Sequence, residues 1–426
     1  MHPADLAVIL AQGAGTQGIT VFGSLARSAE RPGDLDLLID LRHEDDWRAA
    51  RAARLALRLA RENYGKVDPF LRTRDGLIVR NDEATGWQRA KNARAILGNA
   101  TREGVPISEV VARHGDVTLD FIPDLHADHA RLETTLSGLG YRPQDGVWRA
   151  PGRRAVFLGD LIDNGPDNLA VLTAVKAMTD AGQALCIMGN HELNAILYHR
   201  KGRDGNWLRS PGGRHAEQHA SFLAEFGHAT PEARAWTAWF LTMPLAWQGP
   251  GITAAHAFLS PRTLGLLRQA SASLRLPASR MEEVAAQEGP YADAVLDVTK
   301  GPEISLPDGS YGFHDHYGHW RTAGRYRWWG EPPGAWPDAF LSPGRDLAVP
   351  ADGFVPLQGK SWPLDREVLV VGHYKKKGDP GPDAANVICL DHADEPVSLS
   401  LPAGQVPDLS RLRVARHHTP EEDPCP

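Results

Sequence analysis

AVFLGDLIDNGPDNLAVLTAVKAMTDAGQALCIMGNHE, residues 155–192, decides the fold. An apolar run from Ala155 breaks at Gly159-Asp160, a helical pattern follows, and a second apolar run breaks at Gly189-Asn190-His191-Glu192. Strand, crossover helix and strand in that order form a βαβ unit, whose polar residues gather at the carboxyl ends of neighbouring strands. Asp160 offers two oxygens that can bridge two cations, Asn190 a neutral carbonyl oxygen, and His191 an imidazole able to give up a proton. Such hard donors, without thiolate, suit manganese, iron, zinc or magnesium.

The same device recurs on both sides. Val117 to Ile122 ends in Pro123-Asp124-Leu125-His126, with a helical pattern from Arg131 to Leu139; Ile252 to Ala255 leads into His256; Val368 to Val371 leads into Gly372-His373. Every candidate ligand follows a short apolar strand.

Asp124-x-His126, Gly159-Asp160-x-x-Asp163, Gly189-Asn190-His191-Glu192, His256 and Gly372-His373, in this order, resemble the calcineurin-like metallophosphoesterases over roughly residues 116–395. The resemblance implies an α/β fold, an αββα sandwich with a cap insertion. It also implies a site in which Asp124 and His126 bind a first metal, Asp160 bridges, and Asn190, His256 and His373 bind a second. His191 would be the general acid, oriented by Asp163. Two cations about 3.5–4 Å apart would activate a water for attack on a phosphate ester. Manganese is the first expectation, with iron, zinc or nickel as alternatives. The family has glycine where this chain has Pro123 and Ala127. The related phosphoprotein phosphatases carry a phosphate-gripping arginine where this chain has Asn164, which counts against a serine/threonine protein phosphatase.

Composition sets the frame. A length of 426 residues suggests two or three domains, and 42% hydrophobic residues suffice for buried cores. No basic-then-apolar leader and no uninterrupted run of about 18 apolar residues is present, so the expectation is a soluble cytoplasmic protein without membrane contact. Cys186, Cys389 and Cys425 lack paired spacing and read as reduced thiols. The net charge of −7 argues against a general nucleic-acid coat, yet residues 1–115 hold 17 Lys+Arg against 15 Asp+Glu, so anion contact falls to that part.

The N-terminal part has its own pattern. Gly18 to Phe22 reads as a strand running into Gly23-Ser24, and Asp34-Leu35-Asp36-Leu37-Leu38-Ile39 as a second, with Asp34 and Asp36 on one face. Asp68, in the run Val67 to Leu71, could add a third carboxylate. This resembles the minimal nucleotidyltransferases of the polymerase-beta superfamily over residues 15–72, and implies a small α+β domain holding Mg²⁺ and a nucleoside triphosphate at Gly23, Ser24, Asp34, Asp36 and Asp68. Asp45 to Tyr64 is helical by pattern, with Arg51, Arg54, Arg58 and Arg61 on one solvated stripe; Trp87 to Leu97 reads as another helix.

The expected domains are therefore 1–112, nucleotidyltransferase-like; 116–400, metallophosphoesterase, with a cap at 257–366; and a poorly ordered tail at 401–426, the last strand being Asn386 to Leu390. The stretch Arg200 to Phe240 reads as helical, and Arg214 within it is a candidate substitute for the absent arginine. The cap holds His314, His316 and His319, read as packing or substrate contacts, and tryptophans 320, 328, 329, 336 and 362, which either stack on a base or fill a core. Lys375, Lys376 and Lys377 form a positive lip that favours multiply charged substrates, with Lys375 as a substrate contact.

The function expected is a dinuclear metal-dependent phosphatase acting on a nucleotide or another multiply charged phosphate. Alternatives are a bifunctional nucleotidyltransferase and phosphoesterase acting on RNA ends or protein, or an antitoxin-like N-terminal module that regulates a protein partner.

Overall fold

Three sheets organise the chain, seen in a computed structural model that describes residues 7, 10, 19–26, 34–40, 46–59, 67–73, 75–82, 86–107, 117–249, 251–271, 273–314, 318–341, 346–402, 405, 407–409 and 413–417. The first is six-stranded, in the order β5 (Gly86–Arg89), β4 (Ile78–Asp82), β3 (Val67–Arg72), β2 (Leu35–Asp40), β1 (Ile19–Phe22), β6 (Val105–Pro106). Only β2 and β3 run parallel, and their register sets Asp36 opposite Asp68. Alternation along β2 sends Leu35, Leu37 and Ile39 to one face, under Ala52 and Ala56 of the helix Asp46–Leu59. Leu38 goes to the other face with Phe22 and Phe70, under Ile96 and Ala100 of the helix Ala93–Glu103.

Two expectations for this part are corrected. Trp87 and its neighbours form β5, paired to β4 with Trp87 opposite Asn81, and the helix begins only at Ala93. Cross-strand pairing of the aromatic residue wins over helix propensity here. Within the arginine stripe, Arg58 reaches across the molecule and donates to the carbonyls of Arg268 and Gln269, the last turn of the helix Pro261–Ala270. It satisfies carbonyls that the helix itself leaves unpaired. Arg61 and the side chain of Arg51 lie outside the described residues.

The other two sheets face each other. One has the order β11 (Ala184–Cys186), β10 (Arg153–Phe157), β7 (Thr118–Ile122), β20 (Val397–Leu401), β21 (Arg413–Arg416); the other, β12 (Ala246–Gly249), β13 (Ile252–Ala255), β18 (Val368–Val371), β19 (Val387–Cys389). Between them lie Phe121, Val156, Leu185, Ile252, Ala254, Val370, Ile388 and Leu399. Helices cover the outer faces, with Leu132 and Leu136, Val171 and Val175, and Val295 and Val298 in the surrounding core. This is a helix, sheet, sheet, helix layering. A short ribbon, β8 (Arg142–Gln144) with β9 (Val147–Arg149), precedes β10.

The segment from 257 to 366 adds helices and two ribbons, β14 (Glu303–Ser305) with β17 (Ala323–Arg325) and β15 (Phe313–His314) with β16 (Trp320–Arg321). Trp328, Trp329, Trp336 and Trp362 are buried in the same cluster as Phe258 and Val371, so they fill a core; Trp320 is exposed and donates to the Gly309 carbonyl. His314 is exposed and paired with Asp346, and His316 lies outside the described residues.

The tail expectation is also corrected. Beyond Cys389 come two more strands, and Arg413–Arg416 closes the edge of β20. His417 is buried, its Nε2 2.7 Å from Ser398 Oγ, while His418 and Cys425 lie outside the described residues. The apolar alternation Val397, Leu399, Leu401 outweighs the proline-rich composition around it. Cys186 and Cys389 are free and buried, and no described helix is long and apolar enough to cross a membrane.

Candidate metal centre

The carboxyl ends of β7, β10, β11, β13 and β18 bring the expected phosphoesterase residues together. The backbone is bent hard to do so: His126, Ala127, Asp160, Asp163, Asn164, His373 and Lys375 all have positive φ, from 42° to 75°. Such strained residues persist where packing over-determines them, as at functional sites. Ala127, where the resemblance led one to expect glycine, adopts the left-handed conformation regardless. Gly159 has no such choice, because a Cβ there would strike the backbone of Gly189.

Buried Glu192 ties the two loops. Its carboxylate accepts from the amides of Asp160 (2.9 Å), Leu161 (2.8 Å) and Gly189 (2.9 Å). From the sequence Glu192 carries no expected role, although its place three residues into the helix Asn190–Tyr198 is a capping-box signal.

Asp160 lies at the middle. Its Oδ1 accepts from the His191 amide at 2.9 Å, and its Oδ2 lies 3.4 Å from His256 Nε2 and 3.8 Å from His191 Nε2. Among the described residues two groups of donor atoms meet within 4.8 Å, His126–Asp160–His191 and Asp160–His256–His373, and Asp160 belongs to both. His256 Nδ1 donates to the Leu158 carbonyl at 2.7 Å, which leaves Nε2 facing inward, 3.1 Å from Asn190 Oδ1. Asp124 Oδ1 accepts from the His373 amide at 3.1 Å. Its other oxygen, and His126 Nε2 at 3.8 Å from it, are buried without a hydrogen-bond partner among the described residues.

Electrostatics reflect this crowding. Burial, then the like charge of Asp391, pushes Asp124 well above the usual carboxylate range. Burial lowers His126 to about 4 against the pull of Asp160, and burial with Arg325 lowers His373. Burial also works against charge on His256 and His191, but Asp160, helped by Asp124 and Asp163 respectively, carries them up to about 10 and about 9. Neutral imidazoles and unpartnered carboxylate oxygens are the ligating forms, and a cation would compete with the proton on His256 for one lone pair.

The Asp163 carboxylate accepts from His191 Nδ1 at 2.7 Å, so the Nε2 of His191 faces Asp160. Asn164 sets its amide 3.1 Å from His126 Nδ1. Arg214 is exposed on the helix Gly213–Gln218. Among the lysines, Lys376 is paired with Asp383 at 2.6 Å, which removes it from the expected lip; exposed Lys375 adds to the lowering of His126. Two groups escaped the sequence reading. Asp391, at the end of β19, accepts from the Lys375 amide at 2.8 Å. The Arg325 guanidinium lies 5.7 Å over the Tyr374 ring, beside His373. A strand-end Asp in the run Asn386 to Asp391 was the available signal for the first; the second comes from a distant insertion and had none.

In the N-terminal sheet Gly23 has φ 76°, and a Cβ there would strike the Asp36 carboxylate. Ser24 follows in the short helix Gly23–Ala26, its side chain outside the described residues. Asp68 is raised by burial and by Asp34, against the pull of Arg80, whose guanidinium is 3.3 Å away.

Residues 117–377 match the calcineurin-like phosphoesterase family. A bis(5'-nucleosyl)-tetraphosphatase (asymmetrical) of Oceanobacillus iheyensis is 36% identical over 74 residues, 17% of this chain and 30% of the relative. A symmetrical bis(5'-nucleosyl)-tetraphosphatase of a Shewanella species is 26% identical over 180 residues, 41% of this chain and 54% of the relative. A third, symmetrical, from a Janthinobacterium species, is 32% identical over 161 residues, 38% and 50%. The chain thus spans about half or less of the length of these curated relatives. Among solved structures, a cold-active protein-tyrosine phosphatase of a Shewanella species aligns with 72% of this chain and 85% of its own at 14% identity and a TM-score of 0.37. With the family match covering more than half its length, the chain belongs to the calcineurin-like phosphoesterases, a family of metal-dependent phosphoric ester hydrolases.

Proposed function

We propose that the protein hydrolyses a phosphate ester or anhydride of a nucleotide, or of another multiply charged phosphate, with two divalent cations. The observation that carries this reading is that Asp160 alone is shared by the two groups of converging donors. The residues fit such ions: Asp124 Oδ2 and His126 Nε2 are buried without partners, a state that costs free energy unless a cation fills it. Asp124 and His126 would hold the first, Asn190, His256 and His373 the second, and Asp160 both. When bound, the pair supplies Lewis acidity and an acidified water.

The chain's own residues do the rest. Asp163 holds one proton of His191 on Nδ1, and the ring, carried against burial up to about 9 by Asp160 and Asp163, bears a second proton on Nε2 that it can give to the leaving oxygen. Arg325 and Lys375 supply positive charge at the rim for a substrate bearing several phosphates. The names of the relatives favour nucleoside polyphosphates, and manganese is the first metal to try, before iron, zinc or nickel. A panel of dinucleoside polyphosphates, nucleotides, RNA ends and phosphopeptides, given to metal-loaded protein, tests the reading. Turnover of none of them would reject it.

A second reading concerns the N-terminal sheet. Register places Asp36 beside Asp68, and Gly23 lets the Asp36 carboxylate lie against its backbone, which supports a nucleotidyltransferase-like unit at 1–112 that holds Mg²⁺ and a nucleoside triphosphate through Asp34, Asp36 and Asp68. Calorimetry with the full chain, comparing it with Asp34→Ala/Asp36→Ala, tests this; equal heats, or none, would remove it.

A further inference from the structure

Behind Asp163 runs a line of buried polar groups that the proposed chemistry does not use. His219 Nδ1 lies 2.8 Å from Asp163 Oδ1, His219 Nε2 lies 3.0 Å from His199 Nε2, and the Ala229 amide donates to His199 Nδ1 at 2.9 Å. His199 and His219 are each 4% exposed. Their rings are fixed by packing: His219 stacks on Phe222 at 4.6 Å and 15°, and His199 meets Phe222 at 5.5 Å and Tyr198 at 5.4 Å. Ala229 has φ 52°, in the turn before the helix Pro231–Phe240.

The direction of every bond in this line follows from its far end. A backbone amide can only donate, so His199 Nδ1 is an acceptor and carries no proton. The proton of His199 is then on Nε2, and it is donated to His219 Nε2. That leaves the proton of His219 on Nδ1, donated to Asp163 Oδ1. Asp163 Oδ2 is thereby the oxygen left for His191 Nδ1, at 2.7 Å. Burial above all, with His219 and His228 close by, holds His199 down to about 3, in keeping with a neutral ring.

The geometry points to a tautomer lock: the Ala229 amide, through His199 and His219, fixes Asp163 as a double acceptor and so keeps one proton of His191 on Nδ1 and turns Nε2, with the second proton that it gives, toward the reacting phosphate. This rests on the reading of His191 as proton donor. His199 and His219 are positioning residues, since neither touches substrate. Without His199, His219 is free to place its proton on Nε2. Its Nδ1 lone pair would then face the Asp163 carboxylate, and the hold on His191 would loosen.

Two measurements test this, and the first needs no activity. In protein with ¹⁵N-labelled histidine, two-bond nitrogen–proton correlations report the tautomer of each ring; assignment comes from the signals lost in His199→Gln and His219→Asn. The proposal expects the Nε2–H form for His199 and the Nδ1–H form for His219. An Nε2–H form of His219, or protons on both its nitrogens, would overturn it. The second measurement compares phenyl phosphate, whose leaving oxygen needs a proton, with 2,4-dinitrophenyl phosphate, whose does not. His219→Phe and His199→Leu should lose about 10–100-fold in kcat on the first and under about 3-fold on the second. His219→Asn, which keeps a donor at the Nδ1 position, and His199→Gln, which keeps one at Nε2, should recover most of the loss. Equal losses on both substrates, or no recovery, would make these histidines mere packing. If the unaltered protein cleaves neither ester with manganese, iron or zinc, the phosphoesterase reading fails, and the spectrum still decides the lock.

Discussion

The rim of the sandwich and the acidic edge of the N-terminal sheet both place carboxylates on strands, yet they treat them in opposite ways. At the rim, Asp124 and Asp160 are 3% and 2% exposed, and one Asp124 oxygen has no partner. At the N-terminal edge, Asp34, Asp36 and Asp68 are partly exposed, and Arg80 already compensates Asp68. A half-exposed carboxylate is stable without a cation, because water and a guanidinium satisfy it; a buried, unpartnered one is not. Pattern alone makes the two regions look alike, and burial separates them.

The comparison can be broken most sharply at Asp160. Asp160→Asn removes the charge shared by both donor groups, and hydrolysis should fall at least about 10²-fold with loss of bound metal, measured by turnover and by elemental analysis. Full activity would mean that the rim is not the centre. His191→Ala should lose about 10²–10⁴-fold in rate while metal content stays constant, as the proposed role of proton donor requires. Metal falling in step with rate would make it a ligand.

Smaller effects sharpen the contrast. Glu192→Gln replaces a buried carboxylate that accepts three amides, and should cost about 2–3 kcal/mol of stability, read by denaturant unfolding. An unchanged midpoint would show that the loops hold without it. Asp34→Ala with Asp36→Ala should leave the hydrolysis rate unaltered, because those strands belong to a different sheet. A changed rate would join the two regions functionally.

How legible this was differs from place to place. Asp124, Asp160, Asn190, His256 and His373 were readable because each follows an apolar strand, and strand ends in a parallel sheet converge. Asp36 and Asp68 were readable only as carboxylates in short apolar runs; they lie near the starts of β2 and β3, and the register that sets them opposite each other is not fixed by the pattern. What could not be read were contacts made by distant chain: Arg325 beside His373, Arg58 on the carbonyls of residues 268 and 269, and the histidine line from 199 to 219. Histidines spaced at 191, 199 and 219 carry no periodic signal, since a helix end and a loop separate them. The tryptophans of the insertion were readable as aromatic but not as core, because burial depends on which layer the insertion meets. The strand at 413–416 was hidden by its surroundings, as composition averages over a window longer than four residues.

One pairing has a bearing on how the protein is made. β7 is paired with β10 on one side and with β20 on the other, and Phe121 sits opposite Leu399. On a ribosome the N-terminal sheet is complete once residue 106 has emerged, whereas the central sheet keeps an open apolar edge at β7 until residue 401 has been synthesised. Loop closure over that separation is slow, and an unpaired strand edge meanwhile invites association with other chains. Nascent chains halted between residues 190 and 390 would therefore carry the whole first βαβ unit and still be the form most in need of a chaperone.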